Sequence, residues 1–202
     1  MMLVLASASP RRRELLTQAG FAFTVHPAHV PEDPFPGEAP IEYVTRLARE
    51  KAETVFRALA ASQPHSSDDP GNPSNEPVVL GADTTVTLDD QILAKPEDPT
   101  DAIRMLRQLS GRTHHVITGV AVVTPRAIHV AAEVTAVRFL SLSDFEIESY
   151  VATGEPMDKA GAYAIQGRAA RFIVELRGSY SGVMGLPLYE TSELLERLAQ
   201  RR

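Results

Sequence analysis

Apolar and polar positions alternate along the chain in two rhythms, one of about two residues and one of about 3.6, which are the signatures of strand and helix. Met2 to Ala6 is a short apolar run that predicts a strand, broken at Ser7-Ala8-Ser9-Pro10. Ser9 predicts the cap of a helix whose first turn begins at Pro10, because serine accepts an orphan amide proton and proline has none to leave unpaired. That helix turns Leu15, Leu16 and Ala19 inward and stops at Gly20, and Phe21 to Val25 predicts a second short strand. A longer helix is predicted from about Pro40 to Ala60, with Ile41, Val44, Leu47, Ala48, Ala52, Val55 and Leu59 in one stripe.

Val78 to Leu88 predicts a strand turned by Asp89-Asp90 into a hairpin with Ile92-Leu93. Thr100 predicts the cap of a helix over Asp101 to Leu109, with Ala102, Met105, Leu106 and Leu109 inward and a stop at Ser110-Gly111. Val116 to Thr124 and Ile128 to Phe139 predict two long strands joined at Pro125-Arg126. Ser143 and Glu146 form a capping-box pattern opening a helix that runs to Ala152 and closes at Gly154. Arg171 to Leu176 predicts another strand, and Leu188 to Leu198 a terminal amphipathic helix. Interleaved helices and strands with long antiparallel pairs predict an α/β class with a mixed sheet.

Composition narrows the picture. With 202 residues and 44% hydrophobic content, the expectation is a single domain with a sizeable core, possessing one insertion. Residues 62–77 hold prolines, serines, Asp68, Asp69, Gly71 and Asn72 without a hydrophobic side chain, and predict a flexible, exposed loop. The net charge of −6 gives no basic field for a nucleic-acid polymer or a membrane surface. No apolar run approaches the roughly 20 residues of a membrane span, and no secretory pattern opens the chain, so a cytoplasmic protein is expected. Cysteine is absent, so a catalytic metal has to be held by oxygen or imidazole. The six histidines show no i, i+4 pair, and His26, His29, His114 and His115 are expected at the surface or in hydrogen bonds.

Polar residues that a core does not need concentrate in four places. Ser7-x-Ser9-Pro10-Arg11-Arg12 brings two arginines to a helix amino terminus, which reads either as an anion site for phosphates or as an ordinary cap. Asp83 and Thr85 project from one face of an apolar strand, with Leu80, Ala82 and Thr84 on the other. Aspartate forms strands poorly, so Asp83 asks for a reason: a structural hydrogen bond, a general base or a metal ligand. Lys51 interrupts the apolar stripe of the long helix, where its ammonium needs either solvent or an anion. Lys95 precedes a proline, and residues 154–167 form a loop dense in glycine and charge.

Leu5-Ala-Ser-Ala-Ser-Pro-Arg-Arg-Arg-Glu-Leu-Leu16, Gly81-Ala-Asp-Thr84, Leu109-Ser-Gly-Arg112, Asp158-Lys-Ala-Gly-Ala-Tyr163, Ile165-Gln-Gly167 and Val183-Met-Gly-Leu-Pro187 occur in this order. Together they resemble the Maf family of nucleotide pyrophosphatases over nearly the whole chain except the proline-rich segment. The resemblance implies an elongated α/β fold similar to the inosine triphosphate pyrophosphatases, with helices flanking a central mixed sheet and two lobes around a cleft. It implies cleavage of a nucleoside triphosphate between the α and β phosphates with Mg2+ or Mn2+, in a homodimer that cleans nucleotide pools. The catalytic aspartate corresponds to Asp83, the specificity positions to Arg11, Thr84 and Gln166, and the phosphate-handling lysines to Lys51 and Lys95. Ser7, Arg11 and Arg12 join these as substrate-binding residues, and Glu32, with Asp33 as its alternative, joins Asp83 at the metal. The chain departs from the family pattern at Ala94, where glycine is usual, and over residues 62–77.

The Asp158–Tyr163 and Ile165–Gly167 segments resemble the branch that prefers dTTP and UTP, with modified pyrimidine nucleotides as further candidates. The Gln166 amide, with one donor side and one acceptor side, matches the carbonyl and ring N–H of thymine or uracil. The rival class is a nucleotide-binding regulator of cell division or septum formation without turnover; a nucleotidyltransferase is a third reading with no acceptor site in its favour. The expected arrangement is Asp83 facing Arg11, Lys51 and Lys95 across an open groove.

Overall fold

The computed structural model describes residues 2–62 and 76–200, so the segment 63–75 at the heart of the expected loop insertion lies outside the described residues. The elements are β1 (Met2–Leu5), α1 (Pro10–Gln18), β2 (Phe23–Val25), α2 (Pro40–Ser62), β3 (Pro77–Leu88), β4 (Gln91–Leu93), α3 (Pro99–Leu109), β5 (Thr113–Val123), β6 (Ile128–Phe139), α4 (Asp144–Val151), β7 (Ile173–Arg177), α5 (Tyr180–Val183) and α6 (Leu188–Gln200). Short 3-10 turns occupy Glu155–Asp158, Ala160–Ala162 and Arg168–Phe172. The mixed α/β class expected from the periodicity is the class observed.

The sheet runs β2-β1-β3-β5-β6-β7, parallel from β2 to β3 and antiparallel from β3 to β7. β5 occupies one edge of β3 from Val79 to Thr87. Both other partners therefore share the opposite edge: β1 pairs with Pro77 to Leu80, and β4 with Val86 to Leu88. Between them, on that edge, residues 81–85 of β3 have no strand beside them among the described residues, and Asp83 is at the centre of that gap.

The cores divide at the same place. On one sheet face Val78, Leu80, Ala82, Val120 and Val122 pack with α1, α6 and Met184, whereas Val86, Leu88, Val116, Val137 and Phe139 pack with α3, α4 and Tyr163. The boundary is polar, formed by Thr84 and Thr118. On the other face α2 lies almost directly on the backbone. An added Cβ at Gly81 would stand 2.1 Å from the Ala48 carbonyl oxygen, and one at Gly119 would stand 2.6 Å from that of Val44. Any side chain there would push α2 off the sheet.

Several expectations need correction. Ala19 is exposed, leaving Leu15 and Leu16 to anchor α1, and Ile41 is 49% exposed although it shares the period of the apolar stripe of α2. Asp98, not Thr100, caps α3, its carboxylate accepting the Asp101 amide at 2.8 Å with Pro99 opening the helix. β5 starts earlier, at Thr113, and Arg171 and Phe172 belong to a 3-10 turn that precedes β7. The expected capping box at Ser143 and Glu146 is present.

Candidate active site

Four elements converge on the gap in β3. Lys51, on the buried face of α2, extends its ammonium to Asp83 Oδ1 at 2.7 Å and to Glu32 Oε1 at 2.6 Å. The interruption of the apolar stripe thus has its anions. Glu32, rather than Asp33, makes this contact, and its loop is tied to α2 by the Tyr43 hydroxyl donating to the Glu32 carbonyl at 2.7 Å. Arg46 braces the same loop through Glu38 at 2.6 Å, its guanidinium lying 4.0 Å from the centre of the Phe35 ring.

The two carboxylates on one ammonium differ in setting. The Asp83 side chain is 10% exposed, and burial raises its carboxyl above the ordinary value, with Lys51 and Arg12 pulling the other way. Glu32 is 48% exposed; burial opposes its charge, but the Lys51 hydrogen bond and the charges of Lys51, Lys95 and Arg12 hold its carboxyl below the ordinary value. Asp83 is thus more enclosed than a residue facing an open groove, because Lys51 covers it.

Arg12 reaches the gap from α1. Its Nε donates to the Gly185 carbonyl at 2.7 Å, Nη1 to the Ala82 carbonyl at 2.8 Å and to Ser7 Oγ at 3.2 Å, and Nη2 to Thr84 Oγ1 at 3.2 Å. Four of its five N–H groups are committed to the protein, so Arg12 acts as a strut joining β3, the Ser7 turn and the Gly185 turn. Burial lowers its pKa, and the charges of Asp83 and Glu32 oppose that shift.

The hydroxyl of Thr84 is committed as well. Thr118 donates its single proton to the Gly182 carbonyl at 2.8 Å, so the 2.9 Å contact between Thr84 and Thr118 is donated by Thr84. With Arg12 donating to it, Thr84 offers an incoming molecule a lone pair and a methyl group, but no proton.

The remaining expected residues are peripheral. Lys95 is exposed on the turn after β4, where its charge reaches Glu32 and where the Gly161 amide donates to the Ala94 carbonyl at 3.1 Å. Gln166 is exposed, next to Ile165, which packs in the α1/α6 core with Ala82. Arg11 has no ion-pair partner among the described residues, and its charge acts on the Tyr150 hydroxyl of α4. Ser7, Arg12, Glu32, Lys51, Asp83 and Thr84 therefore form one connected group, with Lys95 beside it and with Arg11 and Gln166 towards α4.

His114 was expected at the surface or in a hydrogen bond, and the second holds. It is fully buried, its Nε2 lies 2.8 Å from the Tyr163 hydroxyl, and burial lowers its pKa to about 3. It supports the Asp158–Tyr163 segment from beneath. Only the apolar neighbour Val116 in the sequence hinted at an inward position.

A family model described as Maf-like protein matches residues 2–198. The chain belongs to the Maf family. Relatives carry the same name, dTTP/UTP pyrophosphatase. The protein of Aromatoleum aromaticum is 52% identical over 202 residues, covering 95% of this chain and 93% of its own. That of Chromobacterium violaceum is 51% identical, covering 95% and 91%, and that of Anaeromyxobacter dehalogenans 52% identical, covering 96% and 93%. Within this Maf-family chain the Ser7 turn after β1, the Gly81–Thr84 stretch and the Val183–Pro187 stretch are the parts that Arg12 binds together. Among the described residues no helix is long and apolar enough to cross a membrane.

Proposed function

We propose that this chain hydrolyses nucleoside triphosphates, with dTTP and UTP preferred, to the monophosphate and pyrophosphate. The observation that carries the proposal is Asp83, an enclosed carboxylate held at the open edge of β3 among three cations, Lys51, Arg12 and, farther out, Lys95. Membership of a family whose similar members are named dTTP/UTP pyrophosphatase supports the substrate class.

In this reading Asp83 takes a proton from water as the water oxygen forms its bond to the α-phosphorus. The bond between that phosphorus and the bridging oxygen breaks, and pyrophosphate leaves with the electron pair. A carboxyl raised above its usual value moves towards the working pH, where general bases are most effective. Lys51, Lys95 and Arg11 neutralise the phosphates, and Arg12 keeps Ser7, Thr84 and the Gly185 turn in place around them.

A divalent cation fits the donor set. Among the described residues no group of three or more His, Asp or Glu is arranged for a metal. Two carboxylate oxygens do meet on one cationic nitrogen, and Mg2+ is commonly held by one or two carboxylates together with substrate phosphates. Asp83 and Glu32 would hold it, and it would supply charge neutralisation to the triphosphate. Lys51 would then be released from the pair towards the phosphates. A homodimer in the cytoplasm is the setting proposed from the family.

The deciding experiment is a panel of common and modified nucleoside triphosphates with Mg2+ or Mn2+, scored by pyrophosphate release. Faster turnover of 7-methyl-GTP than of both dTTP and UTP would refute the substrate proposal. Binding without release would favour the regulator instead. Asp83→Asn keeps the size of the side chain and removes the base, so kcat should fall roughly a hundredfold or more; near-normal turnover removes Asp83 from this role.

A further inference from the structure

Gln166 sits on a bend whose two ends are tied to one hydroxyl and one carboxylate. The Ala164 amide donates to the Tyr150 hydroxyl at 3.2 Å, and that hydroxyl donates to Glu155 Oε1 at 2.8 Å. The other carboxylate oxygen, Oε2, accepts the Arg168 amide at 3.1 Å. The direction is fixed by counting protons: Tyr150 has one, Glu155 takes it, and the phenolic oxygen is left to accept from Ala164.

The bend has no room to slip. The Gly167 amide closes it on the Ala164 carbonyl at 3.0 Å, and an added Cβ at Gly167 would stand 1.9 Å from Glu155 Oε1, so the carboxylate lies flat against the backbone. Ile165 is packed in the core on one side of Gln166. Tyr150 is 2% exposed and its ring meets Phe172 edge-on at 5.5 Å, so its hydroxyl is itself held by packing. The charge of Arg11 reaches that same hydroxyl.

We infer that Tyr150 and Glu155 are positioning residues for base selection: they hold the amide of Gln166 at one height and orientation, so that its donor and acceptor sides meet the edge of the nucleobase. They touch no substrate themselves. The inference rests on Gln166 as the residue that meets the base, as proposed above. It adds that selectivity is set by a buried tyrosine on α4 and a half-buried carboxylate on the turn after it, which the base never contacts.

Tyr150→Phe and Glu155→Gln test this. Phenylalanine keeps the ring packing and removes both hydroxyl bonds, whereas the neutral amide replaces one acceptor oxygen by a donor facing another donor. Two measurements are made on each variant and on the wild type: amide hydrogen exchange over residues 164–168 without nucleotide, and kcat and KM across all common nucleoside triphosphates. Faster exchange is expected in both variants, with the preference for the best base over the worst falling about tenfold through KM while kcat on the best substrate stays within about twofold. Unchanged exchange would overturn the clamp, and faster exchange with an unaltered ranking would overturn its part in selectivity. A wild type that prefers a purine nucleotide would sink the pyrimidine reading alone; the clamp is then judged by whether that ranking collapses in the variants.

Discussion

Lys51→Met is the sharpest perturbation of the site, because it removes one nitrogen that two carboxylates share at 2.6 and 2.7 Å while keeping the length of an apolar stem on α2. Breaking a buried ion pair from one side costs about 3–5 kcal/mol, since the partner is left charged in a poor solvent. The lower end applies here, because Glu32 is 48% exposed and turns to water. A loss of about 3 kcal/mol in a domain of this size lowers the melting temperature by roughly 6–12 °C. Circular dichroism melts at neutral pH in the presence of a chelator measure it. Mg2+ is the second arm of the assay, since a cation at a hundredfold excess over its dissociation constant returns about 2.7 kcal/mol. Wild type, in which Lys51 already fills the place between the carboxylates, should gain less. A variant that melts within about 2 °C of wild type in chelator, or whose deficit is the same with and without Mg2+, would refute the reasoning.

Other outcomes follow from the same geometry. Gln166→Glu exchanges a donor for an acceptor, and the preference for UTP over GTP in kcat/KM should fall at least roughly tenfold; an unchanged ratio removes Gln166 from base reading. Gly119→Ala drives a methyl group to within 2.6 Å of the Val44 carbonyl opposite Asp83, so α2 must retreat, at about 1–3 kcal/mol in denaturant melts and with a roughly tenfold or greater loss of kcat. His114 has a folded-state pKa of about 3 against an ordinary 6.5, so below 6.5 the unfolded chain holds a proton that the native chain refuses. Its contribution is intact above that value and is lost as pH falls, by about 1.4 kcal/mol per unit, or roughly 2 kcal/mol at about pH 5. Urea melts of wild type and His114→Gln at neutral pH and at about pH 5 measure this, the variant losing less on acidification; equal losses would contradict it.

Much of the fold was legible because its elements advertise themselves locally. The stripe of α2, the capping box at Ser143 and the Asp89-Asp90 turn, whose residues take φ of 49° and 63°, depend on near neighbours in the chain. What escaped depends on contacts across the fold. Ile41 fits the stripe by period, yet it is left 49% exposed. Nothing near Gly81 or Gly119 announces that a helix backbone rests on them. The oddity of Lys51 and the oddity of Asp83 were both visible, and their meeting is the part that the pattern foreshadowed. The neighbours of Arg12 in sequence suggest an anion site or a plain cap, and the family resemblance a phosphate ligand; its four protein acceptors come from residues 7, 82, 84 and 185, which no local pattern joins. The tyrosine partners of His114 and Glu155 escape for the same reason, since each lies elsewhere in the chain.

The break along the free edge of β3 has a consequence for how the molecule fails. One continuous strand serves both apolar cores, giving Leu80 and Ala82 to the first and Val86 and Leu88 to the second, and Asp83 is stationed on the seam. Neither half can melt by itself without slackening the rail on which the chemistry is mounted. Heat or denaturant should therefore silence the site and dissolve the architecture in a single event, leaving no shell that is well formed and inert.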